Sequence, residues 1–360
     1  MATALPAVVG DLKADVCVIG LGGSGLSCVR ELLRLGQRVI GVDAGTVGGG
    51  AAGSNGGFLL GGSSAFYHDA VAALGRERAR SIYQLTLDEM DRITSETPDT
   101  VRRDGSLRIA SSDAERKDCD MQLAAMCADE LPVSPYDGPE GRGLRFPADG
   151  SFNPLARCRV LARNAVELGA LLFENSRAVS FGNGEVLTDN GRVRCMHIIV
   201  AVDGNLECVV PELIGRVRTA RLQMLGTAPA PEVSFSRPVY SRYGYDYWQQ
   251  LPDKRVVLGG CRDRFVDEEW TSDTTPTEEV QRCMEQVLRA IGVTQPIERR
   301  WAASVSYSNG VLPVMEQVRP GVWAIGGYNG TGNVVGALYG RMVAQVAVTG
   351  TSDMRDVFGL

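Results

Sequence analysis

The sequence predicts a two-domain α/β (α+β) protein, in which a doubly wound domain is joined to a second domain built mainly on an antiparallel sheet. At 360 residues the chain is long for a single core, so two domains are the default expectation. Residues 15–43 and 322–348 each combine a short apolar run, a glycine-rich turn and helical spacing, which is typical of parallel α/β units. Residues 218–260 are instead alternating and rich in aromatic side chains, which favours antiparallel strands.

The first glycine unit predicts a dinucleotide-binding turn. An apolar run over 15–20 leads into Gly20, Gly22 and Gly25, and a second apolar run ends at Asp43. A carboxylate about 20 residues after the first glycine is the feature that makes this glycine pattern indicative of dinucleotide binding. Gly20 allows the tight turn, Gly22 lets the backbone approach a pyrophosphate, and Gly25 lets helix and strand pack closely. We therefore expect a Rossmann-like domain; the alternative is an ordinary tight turn in a doubly wound sheet.

The chemistry of this unit indicates which parts of a dinucleotide it would hold. The helix N-terminus offers free N–H groups and a partial positive charge to a pyrophosphate. Asp43 is placed to accept hydrogen bonds from an adenosine ribose, and its charge disfavours a 2′-phosphate. The candidate cofactor-binding residues of this unit are Gly20, Gly22, Gly23, Ser24, Gly25, Asp43 and Ala44.

Two further glycine-rich stretches favour a flavin dinucleotide. Residues 44–62 contain a dense cluster of glycines, which predicts backbone N–H groups packed against an extended ligand. An NAD site needs no such second loop, whereas FAD could use one. Residues 326–332 then precede a closing helix, so a second helix N-terminus would face a ligand. The alternative for this last unit is a flexible turn between strand and helix.

Composition excludes several classes of function. The net charge of −6 gives no basic footprint for nucleic acid, and no apolar run approaches the ~18 residues of a membrane span. The nine cysteines include no Cys-x-x-Cys pair, and the N-terminus lacks the pattern of a secretory signal. We therefore expect a cytoplasmic protein. With only two histidines, we expect no metal site.

Between the glycine units, local patterns predict the connecting elements. Residues 66–96 have the spacing of one long helix, and residues 131–143, rich in Pro, Gly and Asp, are expected to form a loop. Asn153 and Pro154 predict the cap and first position of a helix that ends near residue 168. Residues 252–254 are expected to form a hairpin turn.

The chain resembles the D-amino acid oxidase superfamily of FAD-dependent oxidoreductases, in its glycine, sarcosine and γ-glutamylputrescine oxidase branch. Five stretches carry the resemblance in the family's order: residues 16–43, 50–58, 146–154, 245–248 with 259–260, and 324–340. The resemblance implies a discontinuous FAD-binding domain of residues 1–81, 144–213 and 300–360. Residues 82–143 and 214–299 would form the substrate domain.

The resemblance also implies further cofactor contacts. Val179 would contact the adenine through its backbone, residues 55–57 would lie near the flavin, and residues 327–332 would face its pyrimidine edge. A helix dipole there would stabilise the negative charge of the reduced flavin. The residues added are Ala52, Gly53, Ser54, Asn55, Gly56, Gly57, Val179, Gly327, Tyr328, Asn329, Gly330, Thr331 and Gly332.

Three positions depart from the family's pattern. Ala52 replaces the usual serine, so a hydroxyl contact to phosphate is lost or supplied by Ser54. No cysteine follows Cys283, so the tethered flavin of the sarcosine branch is not expected and FAD should be non-covalent. Val305 stands where glycine-oxidase-like members carry an arginine that clamps the substrate carboxylate. A valine cannot make that bidentate contact, so amines without an α-carboxylate, or with a remote acid, are expected to be preferred. The alternative is that Arg242 or Arg262 reaches in from the antiparallel sheet and replaces the missing cation.

The expected activity is therefore oxidation of a C–N bond in a small amine or amino acid, by hydride transfer to flavin N5 followed by hydrolysis of the imine. O2 is a candidate electron acceptor. Tyr247 is the candidate catalytic residue, because it precedes the hairpin that covers the flavin in relatives; the alternative is simple strand packing. Two other functions stay open: a non-catalytic flavoprotein of the same fold, and an NAD-linked dehydrogenase.

Overall fold

A computed structural model describes residues 4–359 of the chain. Its strands are β1 (Gly10–Lys13), β2 (Val16–Ile19), β3 (Val39–Val42), β4 (Phe58–Leu59), β5 (Val101–Arg102), β6 (Ser106–Ile109), β7 (Ser134–Gly138), β8 (Gly141–Phe146), β9 (Gly150–Phe152), β10 (Leu171–Phe173), β11 (Ala178–Gly182), β12 (Glu185–Thr188), β13 (Gly191–Arg194), β14 (His197–Val200), β15 (Val217–Pro229), β16 (Val239–Ser241), β17 (Asp246–Gln250), β18 (Arg255–Gly260), β19 (Ile297–Ser308), β20 (Val314–Arg319) and β21 (Val322–Gly326). Its α-helices are α1 (Gly23–Arg34), α2 (Ala51–Ser54), α3 (Tyr67–Leu74), α4 (Arg76–Glu96), α5 (Asp113–Ala128), α6 (Pro154–Glu167), α7 (Leu206–Val209), α8 (Val266–Glu269), α9 (Glu278–Ala290), α10 (Val335–Thr349) and α11 (Arg355–Phe358).

The first domain is organised around a six-stranded sheet in the order β10-β3-β2-β14-β21-β20, parallel except for β20. Every residue of β2 is buried, as expected for a parallel strand covered on both faces. Val16 and Val18 pack with helices α1 and α10, whereas Cys17 and Ile19 pack towards the four-stranded sheet β1-β13-β12-β11. The predicted Rossmann-like layering is confirmed.

The second domain is organised around an eight-stranded sheet in the order β19-β15-β18-β17-β16-β6-β8-β7. All neighbours are antiparallel except β16 and β6. The predicted hairpin at 252–254 is confirmed, since it connects β17 to β18. Helix α9 covers one face of this sheet through an apolar cluster that includes Met284 and Leu258. The opposite face is therefore free to meet the first domain. None of the helices within residues 4–359 combines the length and apolar character needed to cross a membrane.

Three local features differ from the sequence-based expectations. Residues 134–146 form the hairpin β7–β8 rather than a loop, because they add to the edge of the eight-stranded sheet. The long helix over 66–96 is interrupted at Gly75, whose φ of 84° ends α3. Cys261 and Cys283 form a disulfide between the end of β18 and α9, although their spacing gave no sign of pairing.

The expected domain boundaries cut through two elements. Helix α4 runs continuously across the boundary expected at residue 81. Strand β19 pairs with β15 along its length, so residues 300–308 belong to the eight-stranded sheet, although the resemblance assigned them to the FAD-binding segments. This pairing brings the end of β19 against the loop that follows β21. There Tyr307 and Tyr328 form an isolated antiparallel β-bridge.

Asp203 holds the two domains together at this point. It follows strand β14, and its Oδ1 accepts a hydrogen bond from the backbone N–H of Gly327 at 2.8 Å. Its Oδ2 accepts one from the backbone N–H of Ser306, in β19, at 3.2 Å. Burial raises the pKa of Asp203 to about 6. One carboxylate thus fixes the six-stranded sheet, the second glycine unit and the eight-stranded sheet relative to one another.

A buried ion network joins three helices of the first domain. Arg341 in α10 is 3% exposed; its Nε donates to both carboxylate oxygens of Glu89 at 2.9 Å and its Nη2 to Glu96 at 2.8 Å. Both glutamates lie in α4, and Glu96 also pairs with Arg30 of α1 at 3.1 Å. Removing the central guanidinium would leave buried negative charge without a full set of partners, which is costly.

Arg341→Ala should therefore lower the free energy of unfolding by about 3–5 kcal/mol. Arg282→Ala is the matched control, because Arg282 pairs with Glu278 at the exposed surface of α9, and its loss should change stability by less than about 0.5 kcal/mol. Urea unfolding followed by far-UV circular dichroism measures both. Equal effects of the two substitutions would contradict the importance of this network.

Candidate functional site

A cavity of about 710 Å³ lies between the two glycine units and extends to the free face of the eight-stranded sheet. Its volume is within the range of about 300–1,000 Å³ that is typical of ligand pockets. One end is lined by Gly22, Gly23 and Asp43, and the other by Tyr247 and Tyr307. The second glycine unit also lines the cavity. The site thus depends on segments from the beginning, middle and end of the chain.

The first glycine unit has the close approaches that its sequence predicts. Gly20 has a φ of 101°, and a Cβ there would lie 2.6 Å from the carbonyl oxygen of Ala201. A Cβ on Gly25 would lie 1.9 Å from the carbonyl oxygen of Gly20, so only glycine lets α1 start so near β2. Gly22 and Gly23 consequently present backbone rather than side chain to the cavity.

Asp43 is held at the cavity wall by two backbone contacts. Its Oδ2 accepts a hydrogen bond from Leu21 N at 2.7 Å and its Oδ1 from Gly45 N at 2.8 Å. Burial raises the pKa of this carboxyl, although both hydrogen bonds act in the opposite direction. A carboxylate oxygen has more than one acceptor site. Asp43 can therefore hold the turn and still accept hydrogen bonds from a ligand hydroxyl.

Asn55 connects the glycine-rich loop after Asp43 to the second glycine unit. Its Oδ1 accepts hydrogen bonds from Gly57 N at 2.8 Å and from Asn333 Nδ2 at 3.0 Å. Asn333 also donates to the carbonyl of Phe58 at 2.9 Å. Sequence reasoning missed Asn333, which lines the cavity and lies directly after the predicted stretch 327–332. The two loops therefore form one connected wall.

Arg157 is a second residue that sequence reasoning missed. It lies in the first turn of α6, lines the cavity and is 2% exposed. A Cβ on Gly23 would lie 3.6 Å from its Nη1, while its Nε and Nη2 have no hydrogen-bond partner among residues 4–359. Burial lowers its pKa. Arg157, Leu161 and Ala165 share the buried face of the helix, so the arginine at an apolar helical spacing was the available signal.

The far end of the cavity is lined by aromatic side chains from adjacent strands. Tyr247 is paired across the sheet with Tyr240 on one side and with Gly259 on the other. A Cβ on Gly259 would lie 2.4 Å from Cζ of Tyr247, so the glycine makes room for the ring. Tyr247 also meets Phe58 edge to face, with the centroids 5.7 Å apart. Burial raises the pKa of Tyr247, which keeps its hydroxyl neutral.

Val305, Arg262 and Arg108 all line the cavity, and Arg108 packs over the ring of Tyr240. Val305 lies on β19 opposite Ala220 and does line the cavity, so the position that the resemblance identified is in place but carries no charge. Arg262 lines the cavity as well. Arg242 does not; it pairs with Asp246 at 3.1 Å and with Asp263. The cavity therefore contains a cation near the sheet, from a position other than 305.

The structure brings most of the candidate residues together. Those that line the cavity are Gly20, Gly22, Gly23, Ser24, Asp43, Ala44, Ala52, Asn55, Gly56, Tyr247, Tyr328, Asn329, Gly330, Thr331 and Gly332. Their contacts with a cofactor stay a prediction.

The remaining candidates lie outside the cavity lining: Gly25, Gly53, Ser54, Gly57, Val179 and Gly327. Gly25 packs against the carbonyl oxygen of Gly20, and the backbone N–H of Gly327 donates to Asp203. The carbonyl of Ser54 accepts a hydrogen bond from Trp301 Nε1 at 2.7 Å, so its backbone anchors the loop to β19. The side chain of Val179 is 55% exposed, and its neighbours Arg177 and Ala178 line the cavity in its place.

Curated relatives match almost the whole chain. It is 24% identical to the "Probable oxidoreductase OrdL" of Haemophilus influenzae over 384 residues, covering 96% of this chain and 85% of that protein. It is also 24% identical to the "Gamma-glutamylputrescine oxidoreductase" of Escherichia coli, covering 96% of this chain and 86% of that protein. These names describe the relatives.

Solved structures share the fold. Glycine oxidase from Geobacillus kaustophilus superposes with a TM-score of 0.76 at 17% identity, covering 96% of this chain and 98% of that one. L-proline dehydrogenase from P. horikoshii superposes with a TM-score of 0.76 at 19% identity, covering 97% of this chain and 96% of that one. The family model "FAD dependent oxidoreductase" (DAO) matches residues 15–346. The chain therefore belongs to this family of FAD-dependent oxidoreductases.

Proposed function

We propose that the chain binds FAD non-covalently and oxidises a C–N bond of a small amine or amino acid. The observation that carries this proposal is the continuous cavity, which connects a dinucleotide-type turn to a pocket lined by aromatic side chains. The family match and the printed names of the relatives support the same class of substrate. The NAD-linked alternative has no comparable support, because the glycine-rich loop after Asp43 and the second glycine unit both line the cavity.

The residues at the end of the cavity that contains the first glycine unit fit the phosphates and ribose of FAD. Gly22 and Gly23 leave the N-terminus of α1 open to the cavity, and the unpaired guanidinium of Arg157 lies beside Gly23. A buried cation without a partner is unfavourable, so a pyrophosphate is a chemically matched occupant. Asp43 would accept hydrogen bonds from the adenosine ribose. Cys158 also lines this region, but burial raises its pKa to about 11, so it stays a neutral thiol.

The residues at the aromatic end of the cavity would position the substrate. When bound, FAD supplies a hydride acceptor for the oxidation of a C–N bond, and water then hydrolyses the imine. Tyr247 holds a neutral hydroxyl that can donate or accept one hydrogen bond. The rings of Phe58, Tyr240 and Tyr307 line the same region. These side chains orient the substrate without a strong general base, so its amine would react in the neutral form.

Arg157→Met should weaken FAD binding by about 1.5–3 kcal/mol, the scale of a charge-assisted hydrogen bond. The same substitution should leave the apoprotein as stable as wild type or more stable, because it removes a buried unpaired charge. Titration of apoprotein with FAD and urea unfolding measure the two effects. Arg159→Met is the matched control, since Arg159 lies on the exposed face of the same helix. Unchanged FAD affinity in Arg157→Met would contradict the assignment.

Anaerobic reduction of the bound flavin tests the proposed activity. Purified protein is mixed with a panel of amines and amino acids while the visible flavin absorbance is followed. At least one member should bleach the flavin and yield the corresponding carbonyl compound together with ammonia or an amine. A flavin that dithionite reduces but no panel member reduces would instead favour the non-catalytic alternative. Readmission of O2 then shows whether oxygen accepts the electrons.

A further inference from the structure

Arg262 is a buried cation at the aromatic end of the cavity, and it has no acid partner among residues 4–359. It lies in the short helical turn 262–264 directly after β18 and is 9% exposed. Its Nε and Nη2 have no hydrogen-bond partner among the residues that the structure describes. The guanidinium lies 4.3 Å from the ring centroid of Trp270 and 4.6 Å from that of Tyr307. The two rings fix the position of the cation, but they provide no hydrogen-bond acceptor for its unpaired N–H groups.

The neighbouring arginines of the same segment are used differently. Arg242 is satisfied by Asp246 and Asp263. Arg264 is exposed, and its Nη1 contacts the Sγ of Cys283 at 3.1 Å. Arg262 alone among these three lines the cavity. Arg262 therefore differs from the two neighbouring arginines in that it faces the cavity.

Among the residues that the structure describes, no carboxylate of the cavity wall is available to neutralise Arg262. The acidic residues that line the described part of the cavity are Asp43 and Asp203. Asp43 is engaged by the backbone N–H groups of Leu21 and Gly45, and Asp203 by two further backbone N–H groups that connect the domains. Because a buried charge without a counter-charge is costly, the missing acceptor is expected to come from a ligand.

We propose that Arg262 binds the carboxylate of the substrate, so that the proposed amine oxidation, on which this inference rests, is selective for amino acids. The cation enters from the turn after β18, while Val305 leaves the family's usual position on β19 apolar. A guanidinium can hold a carboxylate through two parallel N–H···O bonds. The expectation from Val305 alone, that amines without an α-carboxylate are preferred, thus loses its physical basis.

Binding of a carboxylate that cannot be oxidised tests this inference without turnover. Propionate and its neutral counterpart propionamide are titrated into the FAD-loaded protein, and the perturbation of the flavin spectrum gives their dissociation constants. Wild type should bind propionate at least tenfold more tightly than propionamide. Equal affinities for the two compounds in wild type would overturn the proposal by themselves, before any variant is made.

Variants then assign the effect to one side chain. Arg262→Gln should weaken propionate at least tenfold and propionamide less than twofold, and Arg262→Lys should recover part of the affinity because it restores the charge. Arg264→Gln removes a positive charge from the same turn outside the cavity and should change neither constant by more than twofold. Flavin content and far-UV circular dichroism verify that each variant is folded. Wild-type propionate affinity in folded Arg262→Gln would overturn the proposal.

The same variants separate this inference from the proposed activity. Reduction of the flavin by glycine and D-alanine is compared with reduction by methylamine and ethylamine, which lack only the carboxylate. Arg262→Gln should raise the KM for the amino acids at least tenfold and leave the reaction with the amines within twofold. Selective propionate binding without reduction by any of the four, or by the wider panel, would leave the carboxylate site standing and refute the activity. A faster wild-type reaction with the amines would refute the assigned selectivity.

Discussion

The site depends on the carboxylate of Asp203. Its two oxygens accept hydrogen bonds from Gly327 N and Ser306 N, which belong to the second glycine unit and to the eight-stranded sheet. This contact adds to the pairing of β14 with β21 and to the β-bridge between Tyr307 and Tyr328, so several contacts together set the relative position of β14, the loop after β21 and the end of β19. Burial raises the pKa of Asp203, so this part of the structure is stabilised by hydrogen bonding at the expense of the solvation of the charge.

Two buried guanidinium groups place positive charge at two separate positions along the cavity. Arg157 lies beside the turn before α1 and Arg262 lies at the aromatic end, and both have nitrogens without a partner among the described residues. Each would lower the stability of the ligand-free protein and raise its affinity for an anion. The phosphates of a dinucleotide and the carboxylate of an amino acid are anions of matching kind. The arrangement would place the two ligands in one order along the cavity, with the reacting centre between the cations.

Local patterns in the sequence predicted the elements around the site, but not how distant segments complete it. The strand–glycine–helix units and the helix capped by Asn153 were predictable because each depends on neighbours along the chain. The hairpin β7–β8 was not, because it is stabilised by pairing with β6 across the sheet. Arg157 was not recognised as a cavity residue, and Arg262 was one of several arginines near the antiparallel sheet between which the sequence could not choose, since burial is decided by contacts with remote loops and rings. The expectation drawn from Val305 stays a prediction, because one position carries no information about a cation supplied by the turn after another strand.

A crystal structure of the FAD-loaded protein with propionate would show whether one cavity holds the cofactor and the anionic substrate one after the other. The predicted result is a dinucleotide with its pyrophosphate beside Gly22, Gly23 and Arg157 and its flavin ring beside Gly56 and Tyr247, with propionate on Arg262. Flavin bound outside this cavity, or propionate bound away from Arg262, would contradict the account.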